Sequence, residues 1–288
     1  MSEYLTTKEV ATLLRLKERK VYDLAARGEI PCMKATGKLL FPHDELKRWM
    51  VSRGGVSTPT IQTPDVVLGS HDPVLEWAIS ASQCGLPTLI GGSLDGLNRF
   101  AKGNGSICGL HIPNTQDDDW NLEVVQAQFA ERAAVLIHWA RRVRGLIVRP
   151  SIPISGFSDL RGARVVQRQQ DSGAQQLFEQ QLVRSGLTVG DIDCTREART
   201  ETEAALTLVE GQADVTFGLQ CFADRYDLDF YPICTESFDL LVDRHAYFEP
   251  AFQTLLDFAE SEQFMTEVLR YPGYDVSFLG AVRFNGRA

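Results

Sequence analysis

Three short runs in this chain place hydroxylated or acidic residues beside glycine, each directly after an apolar segment: Gly69-Ser70-His71-Asp72, Gly92-Ser93 and Asp171-Ser172-Gly173. If each run opens a helix, it supplies a hydroxyl and backbone N–H groups that lack intrahelical partners, at the positive end of the helix dipole. That chemistry suits a small anion. The expected ligand-binding set is Ser70, His71, Asp72, Gly92, Ser93, Ser172 and Gly173, joined by His111 and Arg168 at the ends of two further apolar segments. His111 also reads as an ordinary hydrogen-bonded strand-end residue, and Arg168 as a partner for Asp171 or Glu236. A second chemistry lies near the N-terminus. Arg15, Lys17, Arg19, Lys20 and Tyr22 crowd one turn and the helix after it, with Lys34 and Lys38 close behind, a set suited to phosphate and base contacts.

The elements that must hold the basic set can be read from spacing. Thr6 or Thr7 can cap a helix through Leu14, with Glu9 in its first turn and Val10, Leu13 and Leu14 forming an apolar stripe. Arg15-Leu16-Lys17 makes a turn, and a helix from Glu18 to Ala26 buries Val21 and Leu24 while its basic residues face a major groove. Arg27-Gly28 ends that helix, and Ile30 to Phe41 alternates about Gly37-Lys38 as a hairpin wing. A closing helix opened by Pro42-His43-Asp44-Glu45 brings Leu46 and Trp49 to the core. Residues 1–50 thus have the layout of a small winged helix-turn-helix. With the phrase Arg27-Gly28-Glu29-Ile30-Pro31 in place, it resembles the excisionase-like and MerR-like family of DNA-binding domains. The resemblance implies double-stranded operator DNA as a partner; a charged protein-interaction module is the other use of such a layout.

Residues 51–64 are rich in Gly, Ser, Thr and Pro without periodicity and read as a linker. A domain over 65–288 follows, in which VVLGS, a helix from Asp72 to Ser82, TLIGGS, a helix from Leu94 to Ala101 and SICGLHI alternate as a parallel α/β sheet would. An amphipathic segment Asn121 to Arg132, strands Ala134 to Ala140 and Gly145 to Arg149, and a crossing from Pro150 to Gly156 come next. Arg141, Arg142, Arg144 and Arg149 are expected in a solvated turn and at a lobe edge. A second α/β unit then begins with the strand ARVVQRQ, and a strand at 238–244 returns to the first, followed by helices Pro250 to Ala259 and Glu262 to Tyr271. Lobe I is expected over 65–150 and 237–288 and lobe II over 151–236, with a cleft where the helix N-termini meet.

Residues 65 to 280 resemble the type 2 periplasmic-binding-protein fold, in the branch found behind helix-turn-helix heads and fused to molybdopterin biosynthesis enzymes. The phrases that carry this are SHDP from Ser70, GGSLDGL from Gly91, GLHIPN from Gly109, RGLIVRP from Arg144, RQQDSGAQ from Arg168, EGQADVTFGL from Glu210 and the terminal PGYDVS. The resemblance implies a cytosolic sensor that closes two lobes on a small solute, with molybdate or tungstate as the bound effector in relatives and no other cofactor. One departure bears on the ligand. Gln170, Asp171 and Gln175 stand where relatives carry Arg, Gly and Arg, so two positive charges are missing, and a small organic acid or an amine-bearing solute stays open.

Composition narrows the remaining classes. A chain of 288 residues with 44% hydrophobic content has material for a sizeable core beyond the head. No run is long enough to cross a bilayer, and the start MSEYLTTKEV lacks the marks of a secretory signal, so a cytoplasmic location without a membrane partner is expected. Six cysteines without a C-x-x-C pair and five histidines without ligand spacing imply no metal site, the thiols serving as small core residues. No phosphate-binding loop, nucleophile elbow or metalloprotease motif is present, so no catalytic residue and no enzyme activity are expected; a ligand-independent architectural DNA protein is a third class. Ten Lys/Arg against seven Asp/Glu give residues 1–50 a charge near +3 within a total of −9. The acidic remainder would be repelled by phosphate, so DNA affinity must come from the head. One head offers few contacts, and a homo-oligomer is therefore expected. Together these readings describe a ligand-responsive regulator of transcription with an α/β sensor.

Overall fold

The computed structural model describes residues 4–35, 37–53, 63–114, 120–170 and 172–287. They fall into two units, Met1–Gln62 and Thr63–Ala288. In the first, β1 (Tyr4–Thr6) leads into α1 (Thr7–Leu13), α2 (Glu18–Ala26), β2 (Met33–Ala35), β3 (Lys38–Pro42) and α3 (His43–Arg53). Thr6 caps α1 in a reciprocal box, its backbone N–H donating to Glu9 Oε2 at 2.7 Å while its hydroxyl oxygen accepts from the Glu9 amide. Val10, Ala11, Val21, Ile30, Phe41 and Leu46 form the core, and the Trp49 indole N–H donates to the Glu29 carbonyl at 2.6 Å, tying α3 to the turn after α2. The hairpin is wider than expected, because β1 adds a third strand against β3 in register Tyr4 with Pro42. Of the expected linker, residues 51–53 continue α3. Residues 54–62, with Gly54-Gly55, lie outside the described residues, as does Asp171.

The second unit runs β4 (Val67–Gly69), α4 (Pro73–Ser82), β5 (Thr88–Ile90), α5 (Ser93–Ala101), β6 (Ile107–Leu110), α6 (Leu122–Phe129), β7 (Ala134–Val148), β8 (Arg164–Arg168), α7 (Gly173–Arg184), β9 (Asp193–Ala198) and α8 (Glu201–Val209). It continues with β10 (Val215–Leu219), α9 (Gln220–Arg225), β11 (Asp229–Asp243), α10 (Arg244–Tyr247), α11 (Pro250–Ala259), α12 (Glu262–Val268), β12 (Tyr274–Asp275) and β13 (Val282–Asn285). The sheet order is β5-β4-β6-β11-β7-β10-β8-β9, with β12 and β13 also paired to β7. Parallel pairing holds within β5-β4-β6 and within β10-β8-β9. The two trios are joined by the long antiparallel pair β7 and β11, so the sheet is mixed rather than parallel throughout. Among the described residues no helix is long and apolar enough to cross a membrane.

The largest correction to the sequence reading lies in β7. Ala134 to Ala140 and Gly145 to Arg149 are not two strands around a solvated turn; residues 134–148 form one strand of 15 residues. Of the arginines that suggested a turn, Arg142 and Arg144 share one face of it and are 0% and 1% exposed. Arg141 is exposed, while Arg149 pairs with Asp214 at 2.9 Å. Its partner β11 likewise begins at Asp229, well before the expected residue 238, and passes Pro232 through a register shift between Pro232 and Cys234. The cysteines divide: Cys108 and Cys221 are buried as expected, but Cys194 is exposed on the edge strand β9.

Where β7 pairs with both β10 and β11, Gly145 lies so close to β11 that an added Cβ would stand 2.1 Å from the Tyr231 carbonyl oxygen. Gly145→Ala is expected to lower the free energy of unfolding by about 1–3 kcal/mol through forced separation of the two strands. Gly156→Ala, with nothing within 4 Å of the new Cβ, is the matched control expected to leave stability unchanged in urea denaturation.

Candidate functional site

The first unit places all seven expected DNA-contacting residues on its surface. Arg15, with φ 53°, makes the turn; Lys17 is the N-cap residue of α2; Arg19, Lys20 and Tyr22 are exposed on that helix. Val21 between them is completely buried, which fixes the rotation of the helix and turns its basic side outward. Lys34 on β2 pairs with Leu39 and Lys38 on β3 pairs with Ala35, so the two lysines lie on neighbouring rungs beside the Gly37 turn, and both are exposed.

In the second unit, a cleft of about 540 Å³ lies where four helices begin. Of the expected residues, Ser70, His71, Gly92, His111, Arg168 and Ser172 line it. Asp72, Ser93 and Gly173 stand directly behind the wall. Asp72 caps α4 through Oδ1 to the Leu75 amide at 2.7 Å, and its Oδ2 accepts from Arg142 at 2.8 Å and from the Tyr274 hydroxyl at 2.7 Å, so both oxygens are engaged. Ser172 caps α7 through the Gln175 amide at 3.1 Å. Gly173 begins α7 against the His111 main chain, where a Cβ would meet the carbonyl oxygen at 2.4 Å.

Helix α5 differs from these, because its N-cap is Gly92 at φ 104° and no side chain caps it. Its first amides therefore remain available to a ligand. Beside them, Ser93 Oγ accepts from the His111 amide at 3.1 Å and lies 2.8 Å from Ser70 Oγ. Ser93 is fully buried, and the arrangement that satisfies it has its own proton donated to Ser70. That leaves the Ser70 hydroxyl proton for the cleft.

Under the cleft runs a buried chain of charge. Arg142 bridges Asp72 and Glu236, and Arg144 bridges Glu236, at 2.8 Å from Nε to Oε2, and Glu201, at 2.9 Å. Arg168 closes on Glu201 at 3.2 Å and donates to the carbonyls of Ala198 and Arg199. His111 Nδ1 meets Glu236 Oε2 at 3.2 Å. Period-two spacing puts Arg142 and Arg144 on one face of β7, and the antiparallel register sets Glu236 directly opposite Arg142. Burial disfavours the Glu236 carboxylate, but the fields of Arg142 and Arg144, with His111, outweigh it and hold the group well below the ordinary 4.5. Three carboxylates thus face three guanidiniums, and the floor of the cleft is balanced without a ligand. Of the partners expected for Arg168, Glu236 is not the one it meets: it pairs with Glu201 while still lining the cleft, and Asp171 lies outside the described residues.

Sequence reasoning missed Thr200, Glu201, Arg199 and Glu76, all on the cleft wall. The signal for the first two was present: Thr200-Glu201-Thr202-Glu203 is a helix-start pattern, and Thr200 Oγ1 does accept from the Glu203 amide at 3.0 Å. Arg199 is exposed and has no ion-pair partner among the described residues. Among those residues no group of three or more His, Cys, Asp or Glu is placed to hold a metal ion.

Residues 76–260 match the family described as the PBP superfamily domain. The chain belongs to the PBP superfamily. Ahead of that PBP domain, residues 4–54 match the helix-turn-helix domain family. The chain is 26% identical over 303 residues to the uncharacterised protein YvgK of Bacillus subtilis (strain 168), with 96% of each chain covered. Its PBP domain is similar to a candidate phosphate ABC transporter substrate-binding protein of Clostridium perfringens with bound phosphate, at TM-score 0.53 and 15% identity, covering 72% of this chain and 97% of that one. PhnD1 of Prochlorococcus marinus (MIT 9301), in complex with methylphosphonate, is similar at TM-score 0.50 and 10% identity, covering 74% and 92%. At these identities the likeness to the two solved structures is one of fold.

The buried charges make stability depend on pH in a defined direction. Burial holds the His111 imidazole below its ordinary 6.5, and Glu236 lies well below 4.5, so in acid the folded chain binds fewer protons than the unfolded one. Stability is therefore expected to fall as pH drops through 6.5 and to keep falling below 4.5. Glu236→Gln leaves two buried guanidiniums short of a carboxylate; at neutral pH it is expected to cost about 3–5 kcal/mol and to flatten the acid limb. Urea titrations across pH measure both.

Proposed function

We propose that this chain is a ligand-responsive regulator of transcription, in which the helix-turn-helix domain binds operator DNA and the PBP domain senses a small anion in its interlobe cleft. The observation that carries the reading is the meeting of four helix N-termini on one cleft, α5 uncapped by any side chain, in a chain that also carries a DNA-binding domain. The class of ligand is a small oxyanion or carboxylate. Molybdate and tungstate come from the sequence resemblance; phosphate and methylphosphonate come from the two structures of similar fold. Because the floor arginines are neutralised by the protein's own carboxylates, selectivity falls to amides and hydroxyls, which satisfy a compact anion without a countercharge. Operator binding by a head with few phosphate contacts is strengthened by pairing heads, and the active species is a homo-oligomer assembled through the PBP domains.

The DNA half is tested with Arg19→Ala and Lys17→Ala. A side chain that reads a base is expected to cost about 1–3 kcal/mol of operator affinity, and one that contacts phosphate to reduce the salt slope by about one. Gel shifts at several salt concentrations in which the double variant equals the parent would place DNA contact elsewhere. The sensing half is tested by operator titrations with and without saturating anion, with sedimentation to fix the oligomer. Ligand is expected to change operator affinity about 5- to 150-fold, and equal affinity in both states refutes regulation by this cleft.

A further inference from the structure

Above the balanced floor, one imidazole nitrogen on the cleft wall is left as an acceptor. His111 is 4% exposed, lines the cleft and stacks on the Phe238 ring at 6.2 Å between centroids with the planes 29° apart. Its Nδ1 contacts Glu236, a carboxylate gripped by Arg142 and Arg144, and an ionised carboxylate only accepts. The hydrogen in that contact belongs to Nδ1. Burial keeps the ring neutral at ordinary pH, so it carries that one proton and no other. Nε2 is then a bare acceptor, and no hydrogen-bond partner meets it among the described residues. The cleft wall therefore pairs donors, at the start of α5 and at Ser70, with the His111 Nε2 acceptor.

We infer that the ligand is an anion carrying a hydrogen-bond donor of its own, an O–H or N–H that His111 Nε2 accepts, and that His111 thereby discriminates against fully deprotonated oxyanions. This rests on the reading of the cleft as an anion site. An oxyanion without a proton would set lone pair against lone pair at Nε2 unless a proton entered between them. That proton would have to be taken up among Glu236 on β11, Arg142 and Arg144 on β7, Arg168 on β8, Glu201 on α8, and His71 and Asp72 ahead of α4, a set whose charges are already matched. At neutral pH hydrogen phosphate and alkylphosphonate monoanions bring an O–H on the anion itself, and small hydroxy or amino acids bring a donor on the neighbouring carbon. Sulfate, molybdate and tungstate bring none.

The experiment is calorimetry of the full chain with inorganic phosphate, methylphosphonate, lactate, glycine, sulfate, molybdate and tungstate at neutral pH. Each titration is run in two buffers of different ionisation enthalpy, so that proton uptake is counted. The best donor-bearing anion is expected to bind at least about tenfold tighter than each of the last three, or one of those three to match it only with uptake of a proton. Phosphate or methylphosphonate as the tightest ligand places the donor on the anion; lactate or glycine places it on the adjacent carbon. Sulfate, molybdate or tungstate binding as tightly as any other ligand, without proton uptake, overturns the inference while leaving the anion site standing. Binding by none of the panel overturns the anion site and the inference with it. His111→Asn, whose amide can turn its NH2 toward the ligand, is expected to narrow the preference within that one variant, and an unchanged ratio counts against the role of His111.

Discussion

Glu236 is the point on which the second unit turns. It sits at 0% exposure on β11 and is shared by Arg142, Arg144 and His111. A carboxylate removed from water at this depth is tolerable only when several donors replace its hydration, and each guanidinium brought to it needs a further carboxylate in turn. Asp72 and Glu201 meet that demand. Asp72 is the cap of α4 and Glu201 begins α8, so the chain of charge that starts at the strand pair ends at two walls of the cleft. Buried ion pairs are weak evidence for stability in themselves. Their effect here is geometric, because a change in the strands' relative placement would uncouple charges that have no water to turn to.

The same balance decides the electrostatics met by a ligand. A cleft with three arginines near its floor would at first sight be strongly cationic, yet Arg142, Arg144 and Arg168 are spent on Asp72, Glu236 and Glu201. What is left includes helix amides, the Ser70 hydroxyl, two imidazoles, Glu76, Thr200 and Arg199. Such a wall selects by the placement of donors and acceptors rather than by total charge. The uncharged residues Gln170 and Gln175 at the α7 junction agree with that. Gln175 is buried and turns inward, accepting from the Arg168 amide and donating to Glu179.

The helix-turn-helix domain follows an independent logic. Its core is small, six buried apolar residues with Phe41 and Leu46 at the junction of β3 and α3. The basic residues of α2 and the wing keep full access to solvent because none of that core needs them. A local device therefore suffices for DNA contact, whereas the anion cleft requires elements drawn from residues far apart in the chain.

This contrast explains what could be read from sequence. Helix periodicity, caps and turns are local, so α1, α2, α4, α5, α11 and the basic surface of the head followed from spacing, and so did the three serine-bearing junctions with the helices they open. Residues 141–149 were misread for a physical reason: alternating arginines in a strand and arginines in an exposed turn look alike until the partners are known. Glu236, Asp72 and Glu201 lie 94, 70 and 57 positions from the arginines they bind, and only the sheet order brings them together. The sequence alone therefore determined which residues could start helices and bear charge. Tertiary structure decided which of those charges cancel, and in doing so left His111 Nε2, an atom no local pattern marks, as the open acceptor in the cleft.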